Sequence, residues 1–227
     1  MAEPKFYKVT STKPVIEYIA GVIKRHLANN ESVLWLLSGG SAIDIEIEVA
    51  KKLNNNDDKL KNLTVTLIDE RYGLPGHRDS NWKQIMGAGF QIDGAKLIPV
   101  LNGLGFAETS IKYEEFISRS FKKNTYRIGL VGIGADGHTL GIKGLSPATN
   151  AEGLVSHYKW YDYERLTLTP KAIPMLDEVV AYVVGKIKNR LLDDLDKPIS
   201  AAKFPGKYLL RAHKLSIYND YKGEVLK

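Results

Sequence analysis

The chain contains no cysteine. Disulfides, thiolate nucleophiles and cysteine-held zinc or iron–sulfur centres are excluded with it. No stretch approaches the roughly 18 apolar residues of a membrane-spanning helix. The opening residues, MAEPKFYKVT, lack the apolar core of a secretory signal. A cytoplasmic protein with no membrane partner is the expectation. No Gly-x-Ser-x-Gly elbow of a serine hydrolase occurs, nor a His-x-x-x-His pair or acidic cluster to hold a metal. There is no RNA-binding signature, and no helix-turn-helix pattern with a basic recognition helix. No metal and no nucleic-acid partner are expected.

The composition, 44% hydrophobic and 26% charged over 227 residues, suits one α/β domain spanning residues 1–227. The net charge of +6 is unevenly placed: residues 183–227 hold ten Lys/Arg against five Asp/Glu. Such a segment suits nucleic acid or a small phosphorylated substrate, and most of its lysines read as a solvated face.

Hydrophobic periodicity predicts helices over 12–29 (the stripe Val15, Ile16, Ile19, Ile23, Leu27), 41–55, 107–122 and 186–195. Apolar or β-branched runs predict strands at 32–37, 63–69, 127–134, 165–169, 178–185 and 214–220. Alternation of this kind implies an open, mostly parallel sheet with helices on both faces, Rossmann-like, with ligands beyond the carboxyl ends of the strands. Four polar corners stand there: SGGS, DER, GADGH and GKIK.

In SGGS, Ser38, Gly39, Gly40 and Ser41 can form a phosphate cradle, because glycine lets backbone N–H groups approach an anion at a helix N-terminus. The segment is neither a P-loop nor a dinucleotide fingerprint, and a plain turn with Ser41 as helix cap is the structural alternative. In DER, Asp69 and Arg71 are candidates to face substrate, the alternative being a local ion pair; Asp79 or Ser80 can cap a helix starting near Asn81. In GIGADGHTLG, His138 is a candidate general base or acid, with Asp136 two residues earlier to orient it. His26, His77, His157 and His213 read as residues without chemistry. In VVGKIKNR, Lys186, Lys188 and Arg190 open a helix, where cations oppose the dipole unless an anion is bound.

These corners, in this order, resemble the 6-phosphogluconolactonase family and its relative glucosamine-6-phosphate deaminase, over about residues 14–220. SGGS is similar to the Ser-Gly-Gly-Ser-Thr-Pro loop, with Ala42 and Ile43 in place of Thr and Pro. DERYGLPGHRDSN is similar to the lactonase Asp-Glu-Arg segment, GIGADGHT to Gly-x-Gly-x-Asp-Gly-His-Thr, RLTLT to the Arg-hydrophobic-Thr-Leu-Thr strand, and GKIK to Gly-x-x-Lys. The resemblance implies a cofactor-free enzyme that hydrolyses 6-phosphoglucono-δ-lactone in the pentose phosphate pathway. His138 would activate water, Asp69 and Arg71 would position substrate, and the Ser38–Ser41 loop, Arg165 and Lys188 would hold phosphate. A phosphorylated sugar lactone is the expected partner, and a monomer or small homo-oligomer the expected state.

The chain departs from the lactonase pattern after His138. HTLGIKGLSP stands where the family continues His-Thr-Ala-Ser-Leu-Phe-Pro-Gly, so Lys143 replaces an aromatic. The deaminases carry Glu at the fifth position after the histidine, again Lys143 here, although YGLP is deaminase-like. A deaminase-like enzyme and a non-catalytic sugar-phosphate binder are the other readings.

Overall fold

The computed structural model describes residues 3–54 and 58–226. In chain order the strands and helices are β1 (Lys5–Lys8), α1 (Lys13–Ala28), β2 (Val33–Leu37), α2 (Ile43–Leu53), β3 (Leu63–Leu67), β4 (Asp69–Arg71), α3 (Asn81–Gly87), β5 (Lys96–Leu97), α4 (Phe106–Lys123), β6 (Tyr126–Val131), β7 (Val155–Lys159), β8 (Glu164–Leu168), β9 (Glu178–Val183), α5 (Lys186–Asp194), β10 (Leu215–Asn219) and β11 (Glu224–Val225). The helix expected over 41–55 is present as α2; its expected last residue, Asn55, lies outside the described residues.

Eight strands form one sheet in the order β11-β1-β10-β9-β6-β2-β3-β5, every pair parallel. From β2 the chain moves outward through β3 to β5. From β6 it moves the opposite way, through β9 to β10. Right-handed crossovers then set α1, α2 and α3 on one face and α4 and α5 on the other, and α1 does pack on α2. All five residues of β2 are buried, as a strand covered on both faces requires. So are the five stripe residues of α1. Each buried Val, Leu or Ile is worth roughly 1.5–3 kcal/mol.

Two expected strands sit differently from a simple parallel array. The run expected over 63–69 leaves the main sheet after Leu67, and Asp69–Arg71 pairs antiparallel with β8. RLTLT therefore belongs to a second sheet, β4-β8-β7, antiparallel throughout. Fully buried Ile68 joins the two sheets: its N–H donates to Leu37 O (2.7 Å) and its carbonyl accepts from Leu168 N (3.0 Å).

The reversal of strand order falls between β2 and β6. At such a switch point the loops beyond two neighbouring strands part in opposite directions and leave a crevice. SGGS follows β2 and GADGH follows β6, so the topology opens the crevice between these two corners.

Candidate active site

A cleft of about 360 Å³ occupies that position. Its walls include Ser38, Gly39, Gly40, Ser41, Asp69, Arg71, His138, Arg165 and Lys188. Every site residue expected from the sequence is among them except Asp136, which stands behind His138. Lys188 reaches the cleft, whereas Lys186, at the start of α5, is exposed.

The imidazole is held by a curled loop. Gly134 N donates to His138 O (2.9 Å), Gly137 N to Gly134 O (2.9 Å), and Thr139 Oγ1 to Gly132 O (2.8 Å). A side chain at position 134 has no room: its Cβ would stand 2.1 Å from His138 Cε1. The aspartate fixes the ring, since Asp136 Oδ1 accepts from His138 Nδ1 and from the His138 backbone N–H. Nδ1 thus carries the hydrogen, and the Nε2 lone pair is left for chemistry. Burial of Asp136 acts to raise its carboxyl, but hydrogen bonds from Lys143 and His138 outweigh that and hold it well below the usual carboxylate range. For His138, burial is the largest influence and lowers the imidazole below its ordinary value. Asp136 opposes this, while Lys143 and Arg165 add to it. The lowering favours the neutral imidazole, the form a general base needs.

The same cleft is lined by a group of cations. The β4–β8 register places Arg71 beside Arg165, and Asp69 beside Thr167. Both guanidiniums lie against the Tyr163 ring, 5.2 and 5.4 Å from its centroid. Arg165 Nη2 donates to Asp162 (2.7 Å) and Arg71 Nη1 to the Asp79 carbonyl (2.9 Å). Among the described residues, the buried Nε of each has no partner. Burial raises the Asp69 carboxyl to about 6, with Arg165 and then Arg71 pulling it down. Burial also lowers the Lys188 ammonium, with Asp220 opposing.

Strand alternation explains why Asp69 and Arg71 face the cleft and Glu70 does not. Glu70 turns to the N-terminus of α3, accepting from Ser80 Oγ (2.9 Å), Asn81 N (2.7 Å) and Trp82 N (3.1 Å). Ser80 caps α3, as expected, by accepting from Lys83 N.

The SGGS corner holds a surprise. Ser41 does not cap α2; it lies exposed in the helical turn Gly40–Ala42, and Ala42 precedes the helix without a side-chain cap. Two of the four cradle amides are already taken. Fully buried Glu46 accepts from Ser38 N (2.7 Å) and Gly39 N (3.2 Å). The Gly40 and Ser41 amides are the ones left to meet an anion. Gly39 and Gly40 adopt φ of 76° and 56°, values that suit glycine. Burial pushes the Glu46 carboxyl up to about 7.

Glu46, Asp162 and Tyr163 were not singled out by sequence reasoning. Glu46 had a signal: it shares a helix face with Ala42, Ile45, Val49, Ala50 and Leu53, all buried, so a carboxylate stands in an apolar stripe. Asp162 and Tyr163 lie in the β7–β8 hairpin and had none.

Most basic residues of the C-terminal segment are exposed, as a solvated face, and some of them pair with carboxylates. Lys197 pairs with Asp194 (2.6 Å), Lys222 with Asp193 (3.0 Å) and Lys214 with Glu178 (3.1 Å). No helix among the described residues is long and apolar enough to cross a membrane.

The model of the glucosamine-6-phosphate isomerases/6-phosphogluconolactonase family matches residues 8–217. The chain belongs to this family. A 6-phosphogluconolactonase of Helicobacter pylori is 25% identical over 213 residues, covering 90% of each chain. The solved 6-phosphogluconolactonase of Shewanella baltica superposes with a TM-score of 0.80 at 17% identity, over 96% of this chain and 99% of that one. A monomeric glucosamine-6-phosphate deaminase superposes with a TM-score of 0.76 at 18% identity, over 95% and 96%. Both branches of the glucosamine-6-phosphate isomerase/6-phosphogluconolactonase family therefore share this fold, and the choice between them rests on the residues in the cleft.

Proposed function

We propose that the protein is a 6-phosphogluconolactonase, hydrolysing 6-phosphoglucono-δ-lactone to 6-phosphogluconate. The single observation that supports this reading is the shared cleft, lined both by an Asp136-oriented imidazole and by Arg71, Arg165 and Lys188. In this reading His138 Nε2 takes a proton from water as the water oxygen attacks the lactone carbonyl. The tetrahedral intermediate collapses with cleavage of the ring C–O bond, and the imidazolium returns the proton to the departing ring oxygen. Arg71, Arg165, Lys188 and the Gly40 and Ser41 amides hold the phosphate. Fixing that remote anion orients the carbonyl, which is worth up to roughly 7–11 kcal/mol of a bimolecular barrier. The Asp69 carboxyl lies in the same cleft, placed to accept from substrate hydroxyls when ionised.

A deaminase reading is disfavoured by position 143, where the resemblance expects a glutamate and the chain carries a lysine paired with Asp136. The test is lactone hydrolysis by purified protein above the rate in buffer, with His138→Ala lowering kcat by about 10²–10⁴-fold, the range for a positioned general base. Wild-type protein no faster than buffer, or ammonia release from glucosamine 6-phosphate, refutes the assignment.

A further inference from the structure

Lys143 stands in the cleft wall although the sequence motifs give it no role. Its position is set by a tight turn. Ile142 N donates to Thr139 O (2.7 Å), with Leu140 and Gly141 at φ of 53° and 76°. That is the type I′ geometry, which reverses the chain within two residues. The turn is braced from the second sheet: the Tyr158 hydroxyl donates to Gly141 O (2.5 Å) and accepts from Lys143 N (3.2 Å). Lys143 is thus returned alongside His138 with its side chain only 14% exposed. Nζ lies 3.0 Å from Asp136 Oδ2 and 3.2 Å from His138 Nδ1.

The two contacts of Nζ differ in kind. Asp136 Oδ1 accepts from Nδ1–H, so an ammonium cannot also donate to that nitrogen. The approach to Nδ1 is therefore one of charge, and the hydrogen bond goes to Asp136 Oδ2. Both carboxylate oxygens are engaged, one by the histidine ring and its backbone N–H and one by the lysine, although the Asp136 side chain is 55% exposed.

We propose that Lys143 is a positioning residue for the His138 base: by clamping the far oxygen of Asp136 it fixes the near oxygen on Nδ1, and with it the tautomer that leaves Nε2 bare toward the cleft. This role deepens the lactonase reading and rests on it for its catalytic meaning. The charge of Lys143 matters in the same direction. An aspartate alone behind a histidine favours imidazolium and so weakens the base near neutrality. The ammonium offsets that carboxylate. Asp136 and Lys143 from the loop and Arg165 from β8 are the main charged groups acting on the ring, with the two cations together keeping it neutral. Asp69 of β4, which lines the same cleft with a carboxyl raised to about 6, also feels Lys143, so the NMR midpoint is the readout specific to the ring.

Lys143→Met and Lys143→Arg test this with two readouts. The first is the NMR titration of the His138 ring in ligand-free protein, its resonance assigned by its loss in His138→Gln. The second is the pH profile of kcat/KM for the lactone. Lys143→Met should raise the His138 titration midpoint by roughly 1 pH unit and carry the acid limb of the profile with it, whereas Lys143→Arg should leave both near wild type. Lys143→Gln, which also lacks the charge, replaces Lys143→Met if that variant does not fold. An unmoved midpoint in the uncharged variant, or an equal shift in Lys143→Arg, overturns the proposal. The NMR shift in a protein that does not hydrolyse the lactone would support the role of Lys143 while rejecting the lactonase reading. Hydrolysis with neither midpoint nor limb displaced would do the reverse.

Discussion

Glu46 gives the most quantitative expectation. Its carboxyl is fully buried beneath the SGGS loop, where burial raises it from an ordinary 4.5 to about 7. The Ser38 and Gly39 amides oppose that rise, and the charge of Asp69 adds to it. Because the folded-state value lies above the unfolded one, the folded protein holds the extra proton between about pH 4.5 and 7. The associated stability is fully present below 4.5 and lost as pH rises through 7. At about 1.4 kcal/mol per pH unit the loss is about 3 kcal/mol. Glu46→Gln keeps an oxygen for both amides and cannot ionise. Urea unfolding followed by circular dichroism should find variant and wild type close together at about pH 4.5. At about pH 8 the variant should be more stable by about 3 kcal/mol, with unchanged m-values. A difference that is the same at both pH values would refute the reasoning, because the penalty would then not arise from ionisation.

Gly134→Ala should keep the fold and lower kcat about 100-fold, since the added methyl would displace the His138 ring; circular dichroism and lactone turnover measured together check this, and full activity would mean that the loop yields. Lys188→Ala should lower kcat/KM for the lactone by about 10–100-fold, the loss of one charge-assisted hydrogen bond. Lys186→Ala, outside the cleft wall, should leave it unchanged, and steady-state kinetics on both variants decide between the two lysines.

Five of the eight strands of the main sheet were legible in the chain; β1, β5 and β11, of four, two and two residues, are too short to show a pattern. β2, β6, β9 and β10 are apolar runs, and the stripe of α1 is the buried one. The corners were legible because glycine, histidine and paired charges stand where buried strands end. The second sheet was not. Nothing in LTVTLIDER marks where one sheet stops and another begins, since Ile68 is as apolar as its neighbours and its two hydrogen bonds are made by the backbone. The engagement of the Ser38 and Gly39 amides was hidden for a related reason: glycine spacing reports that an anion can approach, but not that a carboxylate of the same chain already does. Lys143 was visible as a departure from pattern, yet its contact with Asp136 depends on a type I′ turn that a leucine seldom enters.

The peptide units at Ile68 also act as a gauge. The imidazole hangs from one sheet and the two guanidiniums from the other, and the splice at Ile68 keeps those sheets from sliding past each other. The spacing of the backbones that carry the imidazole and the two guanidiniums is therefore set by buried main-chain hydrogen bonds, and side-chain rotamers add only the remainder.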